Sequence, residues 1–174
     1  ILKEFEPKYF LLENVRMKKQ YQDIISEHLG VEPIAINSNL VSAQNRYRLY
    51  WTNIPVESLP EDKGIMLKDI LLDDAQEPML SNIYGGFKEK KPRVHFDKSV
   101  TIRTASGGGH IPSVTLRNHA FDGSKHRKLT PVECERLQTL PDNYTEGISN
   151  TQRYKMIGNG FTVDVVAHIL KGIK

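Results

Sequence analysis

Glu13 and Asn14 follow a short apolar run, Lys8 to Leu12. A carboxyl and an amide at the end of a strand can exchange protons or hydrogen bonds with a ligand. Open α/β sheets place their ligand crevice beyond such strand ends. Farther along, Gln44, Arg46 and Arg48 alternate, so an extended backbone projects all three to one side. Together they can hold a phosphate or a base edge; an exposed strand with scattered arginines is the plainer alternative. The single cysteine, Cys134, lies between two glutamates in the stretch Arg127 to Tyr144. A cysteine nucleophile needs a base beside it, and none stands at a suitable position. Cys134 therefore reads as a small packing residue. His95, His110, His119 and His126 fall in one region, but they have neither ligand-like spacing nor cysteine partners, so no zinc site is expected. Gly107 to Gly109 lacks the Lys-Ser/Thr of a phosphate loop and the strand-turn-helix context of a dinucleotide fingerprint. It reads as a flexible recognition loop.

The elements that must position these residues follow from local pattern. Lys8 to Leu12 reads as a buried strand. Gln20 to Leu29 reads as a helix, with Tyr21, Ile24, Ile25 and His28 on one face and Gly30 as its cap. Glu32 to Asn37 is the next strand, and the order strand, helix, strand predicts a parallel crossover. Arg48 to Thr52 is a further strand, with Tyr50 and Trp51 as its heavy packing residues. Met66 to Leu72 reads as a short helix; Thr101 to Thr104 and Val114 to Arg117 read as short strands in a loop-rich lobe. Thr130, Pro131 and Glu133 spell a capping box with proline at the first helical position, and Pro141 ends that helix. Ser149 to Ile157 is a helical turn broken by Gly158-Asn159-Gly160. Val163 to Leu170 is a final amphipathic helix.

A chain of 174 residues makes one ordinary domain or two small ones. At that length it hides roughly 70% of its unfolded surface. It has no apolar run of about 18 residues, so no membrane partner is expected. One cysteine excludes an intrachain disulfide and fits a reducing compartment. Net charge is +3, unevenly spread. Val56 to Leu80 carries seven acids against two lysines, whereas Lys88 to Lys128 carries ten basic residues against three acids. A basic segment of that size is a plausible phosphate-binding face, and a solvated loop surface is the bland reading.

Four segments together resemble the DNA (cytosine-5) methyltransferases. Leu12-Glu13-Asn14-Val15 is similar to that family's Glu-Asn-Val motif, and Gln44-Asn45-Arg46-Tyr47-Arg48 to its Gln-x-Arg-x-Arg motif. Arg127-Lys128-Leu129-Thr130-Pro131 through Gln138 and Pro141 resembles the next-to-last motif. Gly158-Asn159-Gly160-Phe161 resembles the last, which is usually Gly-Asn-Ser-Val. The order matches the family's, with a variable lobe between the second and third motifs. The resemblance implies an α/β fold: the carboxyl-terminal part of a Rossmann-like S-adenosylmethionine-dependent methyltransferase sheet plus a small loop-rich target-recognition lobe. The implied division is 1–55 partial catalytic core, 56–126 target-recognition lobe and 127–174 return to the core. The implied reaction flips a cytosine out of the duplex, attacks C6 with a thiolate and methylates C5 from S-adenosylmethionine. In that scheme Glu13 contacts the N3/N4 edge, Arg48 holds O2, Arg46 adds positive charge and Asn14 orders the pocket. Asn159, Gly160 and Phe161 line the cofactor site. Gln44, Arg103, Thr104, Arg117 and Arg127 contact double-stranded DNA.

The resemblance has one large gap. The family's nucleophile lies in a Pro-Cys motif upstream of Glu-Asn-Val, and its cofactor loop, Phe-x-Gly-x-Gly, lies further upstream; neither occurs here. The expectation is a carboxyl-terminal half, bacterial or phage-borne and cytoplasmic on the nucleoid. Its partner is the missing amino-terminal half, and alone it is inactive. The alternative is a non-catalytic DNA-binding or regulatory protein built on the same scaffold. Keeping Glu13, Arg46 and Arg48 argues against decay, because a scaffold alone has no use for them there.

Overall fold

The computed structural model describes residues 2–72, 75–81, 93–103, 111–116 and 126–174. Thr104, Arg117, His110, His119 and the Gly107 to Gly109 loop lie outside the described residues. A one-turn helix α1 (Leu2–Phe5) precedes β1 (Leu11–Val15), α2 (Lys19–Leu29), β2 (Ile34–Asn37) and β3 (Tyr47–Thr52). β1 begins later than Lys8, so Glu13 and Asn14 lie within the strand rather than beyond its end.

The order of the first sheet is β1-β3-β2, and both pairings are antiparallel. β1 and β2 therefore run the same way, as a crossover requires, but they do not touch. β3 takes the centre because it is apolar on both faces: Leu49, Tyr50 and Trp51 are all buried in succession. On one face the Trp51 indole donates to Ser26 Oγ of α2 at 3.0 Å. On the other, Tyr50 joins Ile36, Val41, Ile54, Val165 and Ile169 in a core shared with α5 (Val163–Leu170). α2 ends as its sequence demands. Gly30 adopts φ 72°, a left-handed conformation that glycine enters without strain, and its N–H reaches Ser26 O.

The lobe is more regular than its composition suggests. β4 (Ala75–Ser81), β5 (Arg93–His95), β6 (Ser113–Leu116) and β7 (His126–Lys128) form an antiparallel sheet of order β5-β4-β6-β7. Its register slips between Gln76 and Met79, around Pro78, which has no N–H to give the ladder. β7 straddles the boundary expected at 126/127 and pairs with β6. Thr101 to Arg103 form no strand, because the Thr101 hydroxyl and both backbone groups of Ile102 bond to residues 44–46, and Leu67–Asp69 is a single 3-10 turn.

α3 (Pro131–Leu137) starts with the capping box read from sequence. Thr130 Oγ1 accepts from Glu133 N at 3.2 Å and Glu133 Oε2 accepts from Thr130 N at 2.7 Å. α4 (Asn150–Asn159) runs through Gly158 and Asn159 before ending at Gly160. A second core joins lobe and sheet through Ala43, Leu67, Ile102, Val114, Leu129, Leu137 and Ile157. Cys134 belongs to it and is fully buried. Burial, reinforced by Glu133 and Glu135, pushes its thiol far above the ordinary cysteine value, so it is no thiolate.

Candidate active-site cleft

Glu13 sits opposite Tyr50, and Val15 opposite Arg48, in the β1–β3 register. Glu13 and Arg48 are thus diagonal neighbours on one face of the sheet. Their side chains meet, with Arg48 Nε 2.7 Å from Glu13 Oε1, and both are largely shielded from water. Arg48 Nη1 donates to Tyr47 O, and Nη2 has no partner among the described residues. Burial, then the Glu13 charge, pushes the Tyr50 phenol up to about 12, so it stays protonated beside the pair.

Arg46 is deeper, with 5% of its surface exposed. Nη1 donates to Ile102 O at 3.3 Å and Nη2 to Gly160 O at 2.9 Å. Burial, and after it the charge of Arg48, lowers its guanidinium to about 10, still cationic at neutral pH. A cleft of roughly 470 Å³ opens at the edge of this cluster. Its walls are Val15 and Arg48 from the first sheet, Thr101 to Arg103, and Gly158 with Asn159 from α4.

The sequence-expected residues divide sharply. Glu13, Arg46, Arg48, Arg103, Asn159 and Gly160 come together at or beside the cleft. Phe161 is half exposed on the turn that follows. Asn14 points to the opposite pleat from Glu13, and its Oδ1 accepts from Val15 N at 2.8 Å. Gln44 does not project to the surface. It is fully buried; Nε2 donates to Leu137 O at 3.0 Å and Oε1 accepts from Ile102 N at 2.8 Å. Arg127 is held by Glu133 in a two-pronged pair, at 2.7 Å and 2.6 Å. Thr104 and Arg117 are not described.

The family model for C-5 cytosine-specific DNA methylases matches residues 37–174. The chain belongs to that family. The methylase chain is 27% identical to the type II methyltransferase M.SsoII of Shigella sonnei, an alignment covering 99% of this chain and 54% of that protein. It is also 27% identical to the DNA (cytosine-5)-methyltransferase DRM2 of Oryza sativa subsp. japonica, covering 97% of this chain and 31% of the relative. The methylase chain thus spans about half the length of the first relative and under a third of the second. Its fold matches the S. pombe Dnmt2 methyltransferase with a TM-score of 0.61 at 16% identity, over 97% of this chain and 69% of the other. The mixed α/β methyltransferase fold is therefore established. Among the described residues, no helix is long and apolar enough to cross a membrane.

Two braces of the methylase chain were not readable from sequence. Lys98 Nζ donates to Asn39 O, Ser42 O and Ile65 O, pinning the lobe to the loop before β3. A lone lysine in a basic segment gives no signal of this. The other brace is Glu133. Beyond Arg127 and its own cap, its carboxylate accepts from Leu72 N at 2.9 Å, so one buried group ties the chain entering the lobe to the chain leaving it.

Burial pushes the Glu133 carboxyl up, but Arg127 and the N–H groups of Leu72 and Thr130 outweigh it and hold the group below its ordinary value. A depressed folded pKa contributes stability that is complete above the unfolded value of about 4.3 and fades as pH falls through and below it. The melting temperature is therefore expected to hold from pH 7 to about 5 and to drop at lower pH. In Glu133→Gln the acid limb should be flatter; melting curves across pH check it, and an unchanged acid limb contradicts the assignment.

Proposed function

We propose that this chain is the base-pocket and target-recognition portion of a DNA (cytosine-5) methyltransferase, acting with an amino-terminal half that carries the cysteine nucleophile. The observation that carries this reading is the shielded Glu13–Arg48 pair, 2.7 Å apart, beside a cleft that Asn159 also lines. Residues 1–55 and 127–174 form the core portion and 56–126 the recognition lobe. A cytosine extruded into the cleft meets a carboxyl for its N3/N4 edge and a guanidinium for O2. Attack at C6 raises electron density on the ring. A proton shared between Glu13 and N3 as charge builds, and the fixed charges of Arg48 and Arg46, stabilise what develops. Arg48 Nη2, which has no partner among the described residues, is the donor available for O2. Tyr50, kept neutral, adds no competing negative charge.

S-adenosylmethionine, when bound, supplies the methyl group. The turn after α4 fits one wall of its site: Asn159 presents an exposed amide and Phe161 a half-exposed ring, suited to a polar tail and a purine face. Arg46 holds this turn through Gly160 O. The basic part of the lobe faces duplex DNA in this reading.

The test mixes this chain with its amino-terminal half, unmethylated duplex and labelled S-adenosylmethionine. Methyl transfer is expected only when both halves are present. No transfer from folded, DNA-bound halves would favour a non-catalytic DNA-binding protein instead.

A further inference from the structure

The Gln44 and Arg46 side chains do not face the cleft; with the backbone of Asn45 they grip the segment that does. Gln44 Oε1 accepts from Ile102 N at 2.8 Å, Arg46 Nη1 donates to Ile102 O at 3.3 Å, and Thr101 Oγ1 donates to Asn45 O at 2.7 Å. Asn45 N and Ser99 O add a backbone bond of 2.8 Å. Both backbone polar groups of Ile102 are thereby fixed, and its side chain is buried. The next residue, Arg103, is exposed and lines the cleft with Arg48 and Asn159. Its guanidinium makes no hydrogen bond or ion pair with any described residue. Arg48, by contrast, already has Glu13 as counter-ion. Among the described residues the cleft therefore presents one arginine with a counter-ion and one without, the second on a braced backbone.

We propose that Arg103 is the phosphate anchor of the cleft. In this role its planar guanidinium takes two oxygens of the phosphodiester flanking the extruded nucleotide, on a backbone held by Gln44, Asn45 and Arg46. This rests on the function proposed above. A fixed backbone loses little freedom on binding, and the guanidinium fork matches a phosphate bidentately. The same fork could take the carboxylate of S-adenosylmethionine. A substrate phosphate is favoured because Arg103 belongs to the basic segment and stands at the exposed margin of the cleft.

The experiment uses the complete methyltransferase as wild type, Arg103→Ala and Arg103→Lys. Affinity for a duplex carrying the target cytosine is measured across a salt series, and affinity for S-adenosylmethionine is measured by calorimetry. R103A is expected to bind DNA about tenfold more weakly. Its plot of log affinity against log salt should be shallower by ~0.9. S-adenosylmethionine affinity should not move. R103K should restore the slope but only part of the affinity, since an ammonium lacks the fork. A neutral methylphosphonate beside the target cytosine should weaken wild-type binding and add nothing to R103A. The wild-type half of that arm needs no altered protein. An unchanged slope in R103A, additive methylphosphonate losses, or a loss confined to S-adenosylmethionine would each overturn the role. If wild-type enzyme transfers methyl yet R103A keeps the wild-type slope, only the Arg103 role falls. If wild type transfers none, the functional reading falls and this role with it.

Discussion

Glu13→Gln in the complete methyltransferase is expected to lower turnover by about 10²–10⁴-fold, the range for losing a positioned proton donor, while DNA affinity stays close to wild type. The amide matches the carboxyl in shape, and Glu13 stands beside the cleft rather than in its lining, so the walls at Val15, Arg103 and Asn159 keep their places. In the role proposed for Glu13, what disappears is the group that can place a proton at N3 as charge builds on the ring. That interaction strengthens only in the transition state, so its loss falls on turnover rather than on binding. A second consequence runs through Arg48. It loses the partner 2.7 Å away and gains freedom to swing, which removes some order at O2 as well. Arg48→Lys separates the two effects, since it keeps charge but not the fork. Single-turnover rates and DNA binding measured on the same preparations decide the matter. Equal losses in both would remove Glu13 from the chemistry.

Glu135→Ala is expected to cost about 3–5 kcal/mol of stability, the range for stranding one partner of a buried ion pair. For a chain of this size that corresponds to a fall of roughly 6–20 °C in melting temperature. Glu135 is fully buried. It accepts from Asn143 N at 2.7 Å, from Thr145 N at 2.9 Å, from the Thr145 hydroxyl, and from Arg153 Nη2 at 2.9 Å. Arg153 Nε in turn donates to Thr145 Oγ1 at 2.9 Å. One carboxylate thus organises the turn between α3 and α4, including Asn143 in its left-handed conformation at φ 62°. Burial pushes this carboxyl up, but Thr145 and Arg153 outweigh it and hold it below its ordinary value. Removing it leaves Arg153 Nη2, the Thr145 hydroxyl and the N–H groups of Asn143 and Thr145 without this acceptor. The double variant Glu135→Ala/Arg153→Met should be less destabilised than Glu135→Ala, because it no longer buries a lone charge. A melting temperature within about 2 °C of wild type for the single variant would show the network to be dispensable.

The capping box at Thr130, the Gly30 cap, the α5 stripe and the strand through Tyr50 and Trp51 were all legible in the chain. Each depends on neighbours a few residues apart, where propensity and periodicity act directly. The motif order also marked the family, and with it Glu13, Arg46 and Arg48 as pocket residues; that Glu13 and Arg48 pair was a matter of the fold. The sequence by itself did not determine the sheet order, because inserting β3 between β1 and β2 is a matter of which strand is apolar on both faces once folded. Nor did it determine the direction of the polar side chains before β3. Alternation predicts that Gln44, Arg46 and Arg48 share a face, but regular β3 begins only at Tyr47. Ahead of it, Gln44 and Arg46 turn to backbone groups 58 and 56 residues away, and Arg46 also to one 114 residues away. Arg127 likewise found a buried carboxylate rather than the surface. A polar group brought near the core must find a partner wherever the fold offers one. The residue types were therefore written in the sequence, while tertiary packing decided that Gln44 and Arg46 hold the frame and left Arg48 and Arg103 at the cleft.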